Sequence, residues 1–184
     1  MTLHGVYALL TVSNKSGIQR FAAGLETLGV RLVSTGKTAD IIRSAEVDVM
    51  DASTFTGSPE MLGGKVKTLH PMIHAGIAGT DAELASAELK KYCIRPIRFV
   101  AVNFYPPEQM IDIGGPAAAR MAAKGWDHGV TTIVDPDDYD WVLQELFRIG
   151  EVSRVVRLAL ARKAFAATKL YEEKVCGYMN TLSV

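Results

Sequence analysis

The chain is poor in the features that would settle its class at once. It has two cysteines, Cys93 and Cys176, in 184 residues, so no disulfide framework holds it together and no metal-ligand spacing can be built from thiols. No apolar run approaches the ~20 residues a membrane-spanning helix needs, and Met1 to Leu10 lacks the charged start and apolar stretch of a secretory leader. Charge of one sign is missing too: twenty basic and twenty acidic residues cancel, which argues against a nucleic-acid or anionic-membrane partner and leaves any bound anion to a local site. Repeats and low-complexity segments are absent. Cytoplasmic localisation is the expectation. The 48% hydrophobic and 22% charged composition is that of a globular domain, and a chain this long buries roughly 70% of its unfolded surface without a staple. A single domain over residues 1–184 is expected.

Apolar runs alternate with segments of helical periodicity. Tyr7 to Val12 reads as a buried strand closed by Ser13-Asn14-Lys15-Ser16-Gly17, and Ile18, Phe21, Ala22, Leu25 and Leu28 follow at helical spacing before Gly29. Val30 to Ser34 is a second strand, Thr35-Gly36-Lys37 its turn and Thr38 to Ala45 its helix. Val47 to Val49 is a candidate third strand, and Ser53 to Gly79 has no clear period. Helices are expected over Ala82–Lys91, Pro116–Lys124, Pro136–Ile149 and about Val152–Met179, with strands at Arg98–Phe104 and Val130–Val134. This order predicts an α/β fold of three layers, α/β/α, around a mostly parallel sheet. Ligands collect at the carboxyl ends of such strands, so Ser13–Gly17, Ser34–Thr38 and Asn103–Tyr105 are expected to be neighbours.

Both early turns place hydroxyls and a lysine ahead of a helix, whose free amides and dipole favour phosphate. For one such turn, a plain helix cap is the better reading; two at one sheet edge favour an anion site. Neither has P-loop spacing. Lys65 and Lys67 lie on a glycine-flanked run that by composition reads as a solvated pair of lysines, and Asp112 precedes Ile113-Gly114-Gly115, either a turn alone or a carboxylate beside closely approaching amides.

The stretches Thr11–Gly17, Ser34–Ala39, Gly57–Pro71, Asn103–Pro106 and Ile111–Gly115 follow one another in the order of the IMP cyclohydrolase family, and Lys124, Asp135-Pro136 and Ala164-Phe165 continue the resemblance over nearly the whole chain. It implies the fold shared with methylglyoxal synthase. The chain departs from the family pattern at Thr11, Asn14, Lys37 and Lys65, and its segment between Tyr105 and Asp112 is much shorter. The formyltransferase domain found in the bifunctional purine-biosynthesis protein is not expected in this chain.

The resemblance implies closure of 5-formamidoimidazole-4-carboxamide ribonucleotide to IMP with loss of water, a cyclic-amidine hydrolase activity ending purine synthesis. It gives catalytic roles to Lys67, Tyr105, Asp112 and Lys124, the last as ionic partner of Asp112. Thr11, Ser13, Lys15, Ser34, Thr35, Gly36, Lys37, Lys65 and Thr68 are the expected phosphate and ribose site. Asn103 is assigned to the substrate carboxamide or to holding Tyr105, and Phe104, Ile113, Gly114 and Gly115 complete the substrate contacts. No metal or cofactor is called for, because no step transfers electrons. The purine nucleotide is the expected partner, with a homodimer and a separate formyltransferase as the protein partners to be considered. His70 and His74 are assigned to packing or loop support. Two alternatives stand beside this reading: a non-catalytic purine-nucleotide sensing module of the same fold, and methylglyoxal synthase, whose paired catalytic aspartates are not found near the phosphate turns.

Overall fold

The computed structural model describes residues 3–79 and 84–183. Five strands form one sheet: β1 (Tyr7–Val12), β2 (Arg31–Ser34), β3 (Met50–Asp51), β4 (Ile97–Asn103) and β5 (Thr131–Ile133), in the order β3-β2-β1-β4-β5. All four pairings are parallel. Central β1 is apolar along nearly its whole length because both faces are covered, as a parallel sheet requires. Ala8, Leu10 and Val12 face one core with α1 (Ile18–Thr27), α2 (Gly36–Arg43) and α7 (Tyr139–Ile149). Tyr7 and Leu9 face the other with α3 (Ala52–Thr56), α4 (Pro71–Ala78) and α6 (Gly114–Lys124). The three layers expected from the alternation of elements are therefore present.

A 26-residue helix, α8 (Arg154–Met179), packs on α6 and β5 and closes that flank of the sheet. Ser153 caps it, accepting a bond from the Val156 amide at 3.5 Å. Val156, Leu160, Ala161, Ala164, Thr168 and Tyr171 are its buried stripe; beyond Tyr171 no residue of the helix is buried.

Several boundaries differ from expectation. The third strand is Met50–Asp51 rather than Val47–Val49, since pairing with Val33 and Ser34 fixes it and both valines are instead core residues leading into it. The segment from Ser53 to Gly79 is not wholly irregular: it contains most of α3 and all of α4, two helices too short for a visible period. His70 caps α4 by accepting the Met72 amide on Nδ1 at 3.2 Å, with Pro71 at the first helical position. α2 and α6 each begin two residues early, at Gly36 and Gly114, and Pro136–Asp138 is a separate 3-10 turn ahead of α7. Of the helix expected over 82–91, α5 (Leu84–Lys91) is described; Ala82 and Glu83 lie outside the described residues.

Candidate active site

The carboxyl edge of the sheet brings the expected segments together. Register pairs Leu10 with Ser34 and Val12 with Asn103, so the turns after β1, β2 and β4 adjoin. Thr11 Oγ1 lies 3.3 Å from Thr35 Oγ1. The buried Ser34 hydroxyl donates to the Leu10 carbonyl at 2.5 Å, and Thr38 Oγ1 donates to the Val12 carbonyl at 3.0 Å, so these two fasten β2 and α2 to β1. Thr38 stands in the same Ser/Thr-rich turn but had no role assigned from sequence.

Neither helix entered from these turns is capped by a side chain. α1 starts from Gly17 at φ 70°, and α2 starts from Thr35, whose hydroxyl makes no cap bond. Simple capping therefore does not account for the hydroxyls. Lys15 curls back so that Nζ donates to the Val12 and Ser13 carbonyls at 3.1 and 3.0 Å. Burial, and then the charge of Lys37, lower its pKa. Two lysines whose charges act on each other beside uncapped helix starts form an electrostatic arrangement that an anion relieves. Gly36, at φ 45° with open space around it, lets the second turn present its amides without a side chain in the way.

Asn103 anchors the first turn: its Oδ1 accepts the Asn14 amide at 2.7 Å and its Nδ2 donates to the Asn14 carbonyl at 3.0 Å. Asn103 thus clamps the turn after β1 to the end of β4.

The lysine segment is a tight turn. Met61 and Val66 bridge across it, with Leu62, Gly63 and Gly64 all at positive φ, which explains the paired glycines. Lys65 at its tip is exposed, whereas Lys67 is half-buried and its charge acts on the carboxyl of Asp112. Thr68 is buried against the start of α6, where a Cβ on Gly114 would lie 2.7 Å from its hydroxyl. His70 Nε2 lies 3.1 Å from Ser58 Oγ, so this histidine braces the segment from both ring nitrogens.

Asp112 sits at the mouth of α6. Its Oδ1 accepts the Gly115 amide at 2.8 Å, and a Cβ on Gly115 would come within 2.6 Å of Oδ2. The second glycine is required by that approach. Burial raises the Asp112 pKa, opposed by the amides of Gly115 and Tyr105 and by Lys67. The backbone amide of Asp112 donates to the Tyr171 hydroxyl at 2.6 Å, and the Tyr171 ring lies 5.0 Å from that of Phe104. Tyr171, about sixty residues downstream in α8, carried no signal in the sequence beyond its place on a buried stripe. Ile113 is exposed beside them.

Lys124 stands apart from the Asp112 end of α6. It is the last residue of α6, ten residues from Gly114, so the helix sets it about 15 Å from the Asp112 end. No ion pair joins Lys124 to Asp112 among the described residues, and the charge that acts on the Asp112 carboxyl is that of Lys67. A concavity of about 680 Å³ along α8, lined by Arg120, Phe165, Lys169 and Cys176 among others, contains none of the expected site residues. Among the described residues no group of three or more His, Cys, Asp or Glu is arranged to hold a metal ion, and no helix is long and apolar enough to cross a membrane.

Residues 17–131 match the MGS-like domain and residues 122–183 match the AICARFT/IMPCHase bienzyme. The bifunctional purine biosynthesis protein PurH of Myxococcus xanthus is 47% identical over 94% of the chain, and that of Persephonella marina 42% identical over 96%. The chain spans 36% and 37% of the length of these curated relatives. A solved structure described as the crystal structure of ForH is 37% identical, with a TM-score of 0.86 over 94% of this chain and 97% of that one. By these matches the chain belongs to the MGS-like domain family, in the branch formed by the IMP cyclohydrolase region of the bifunctional purine-biosynthesis proteins.

Proposed function

We propose that this chain is an IMP cyclohydrolase, folded as one domain, that closes the six-membered ring of 5-formamidoimidazole-4-carboxamide ribonucleotide. The observation that carries the reading is the sheet edge that brings the two uncapped Ser/Thr/Lys turns beside one another, with Asp112 fixed by the Gly115 amide at the start of α6 and the charge of Lys67 acting on its carboxyl. A sensing pocket needs the turns; it has no use for a base with a cation beside it. The relatives' description as purine-biosynthesis proteins supports the same choice of substrate.

The substrate holds its carboxamide and formamido groups on adjacent ring carbons, so proximity is already supplied. What the protein adds is proton movement and charge stabilisation. Asp112 orients the carboxamide and takes a proton as its nitrogen attacks the formyl carbon. Lys67 offsets the charge gathering on the formyl oxygen and protonates it, helped by the Tyr105 hydroxyl. One N–C bond forms and one C–O bond breaks. The oxygen leaves as water with two protons, one originating on the carboxamide nitrogen and one on the formamido nitrogen. Lys15 and Lys37, with the amides after Ser13 and Thr35, hold the 5′-phosphate; Thr11, Lys65 and Thr68 complete that pocket, while Ser34 and Asn103 keep its turns in place. Phe104, Ile113, Gly114 and Gly115 border the base.

The test is to incubate the purified protein with the formamido nucleotide and follow IMP. Formation faster than in buffer is expected. No acceleration, with IMP still bound, would replace this reading by the nucleotide-sensing one.

A further inference from the structure

We infer that Tyr171 is a positioning residue for Asp112, acting from α8 through its hydroxyl on the Asp112 backbone. The inference rests on the cyclohydrolase reading for its catalytic consequence, though not for its geometry. Asp112 lies between a loop and the first turn of α6, where one face is already fixed by the Gly115 amide on its carboxylate. The other restraint is the 2.6 Å bond from the Asp112 amide to Tyr171 Oη. Tyr171 is 5% exposed, and its ring is held by Phe104, the residue that follows β4, so the hydroxyl has a fixed address. Three elements, the end of β4, the entry to α6 and the far part of α8, therefore meet at one backbone amide. Releasing that amide frees the loop and lets water reach a carboxyl whose burial is the main influence on it. The charged groups around the pair are Lys67 facing the carboxyl, and Glu108 and Glu172 acting on the phenol.

The experiment compares wild type with Tyr171→Phe, which keeps the ring against Phe104 and removes only the oxygen, and with Tyr171→Leu, which removes both. Three quantities are read on each folded protein: the Asp112 carboxyl titration by ¹³C NMR, assigned with Asp112→Asn; the Kd for IMP; and kcat with the formamido nucleotide. For Tyr171→Phe the Asp112 titration is expected to move down towards the ordinary aspartate range. Its kcat should fall about tenfold, the scale of one lost hydrogen bond in an ordered site, with IMP affinity within twofold. Tyr171→Leu should move the titration at least as far. An Asp112 titration that stays put or rises in folded Tyr171→Phe overturns the inference. Inactive wild type with a shifted titration would instead count against the cyclohydrolase reading while upholding the positioning role, so the two failures are distinct.

Discussion

At the scale of single residues, Asp112 is under opposing influences. Burial raises its pKa, while two backbone amides and the Lys67 charge hold it down, and burial prevails. A general base works only when deprotonated, so kcat should rise with pH through a midpoint above the ordinary aspartate range. Removing Lys67 takes away a stabilising cation, which moves that midpoint further up. A pH profile of kcat, with Asp112 titrated by NMR where turnover is too slow, checks both; a midpoint at or below that of a free aspartate would count against the assignment. The same pair predicts a division between binding and turnover. Lys67→Ala should cost about 100- to 1000-fold in kcat, the typical effect of losing one donor to a developing oxyanion. Asp112→Asn preserves shape and removes the base, so it should be similarly inactive while both variants bind IMP nearly as wild type does. Rates must be compared with spontaneous closure, since the substrate brings its reacting groups together unaided. Turnover near wild type in either variant would move the chemistry elsewhere.

Secondary-structure elements show which parts of the molecule could be read before the fold was known. β1, β4, α1 and α8 were legible because each buries an apolar run or stripe long enough to display its period. β3 was not, because a two-residue strand is defined by its partner in β2. The separation of Lys124 from Asp112 follows from the helix expected over 116–124, whose length alone sets the two well apart. Tyr171 was beyond reach, since nothing local links position 171 of a helix to a loop at 112. The joint between α7 and α8 offers a test at this scale. Glu145, 8% exposed, accepts from Arg148 at 2.7 Å and from the Ser153 amide at 3.2 Å, tying α7 to the residue that caps α8. The bonds from Ser153 and Arg148 pull its pKa from 4.5 down to about 2. A carboxyl whose folded pKa is depressed stabilises fully above its unfolded value and loses that contribution as pH falls through the folded one. Wild type should therefore lose stability between about pH 4.5 and 2, and Glu145→Gln, already weaker at neutral pH, should lose less over that window. Denaturant unfolding at a series of pH values measures the difference; parallel curves for the two proteins would show that Glu145 is not the clasp.

On the scale of the whole molecule, the balance of twenty basic and twenty acidic residues means that no general field draws a nucleotide in. In the proposed function, affinity for phosphate comes from the sheet edge, where the topology gathers Lys15 and Lys37 from turns 22 residues apart in sequence. IMP should therefore bind at least about tenfold better than inosine at low salt, because a charge-assisted phosphate contact is among the stronger polar interactions available. That ratio should narrow as salt rises, since Lys37 is exposed and the screening length falls from about 10 Å at 0.1 M to about 3 Å at 1 M. The two lysines should differ when removed. Lys37→Ala deletes an exposed charge and leaves burial as the influence that lowers the Lys15 pKa, so it should weaken IMP modestly. Lys15→Ala deletes a charge and the bonds from Nζ to the Val12 and Ser13 carbonyls, so it should weaken IMP more. Because phosphate binding is shared by ground and transition states, Lys15→Ala should raise KM more than it lowers kcat. Inosine binding should be nearly unchanged by either substitution. Titration calorimetry of both ligands at two salt concentrations, on wild type and the two variants, reads all of these at once. Equal affinity for IMP and inosine in the wild-type protein would mean that the phosphate is held somewhere other than these turns, whatever the fate of the catalytic pair.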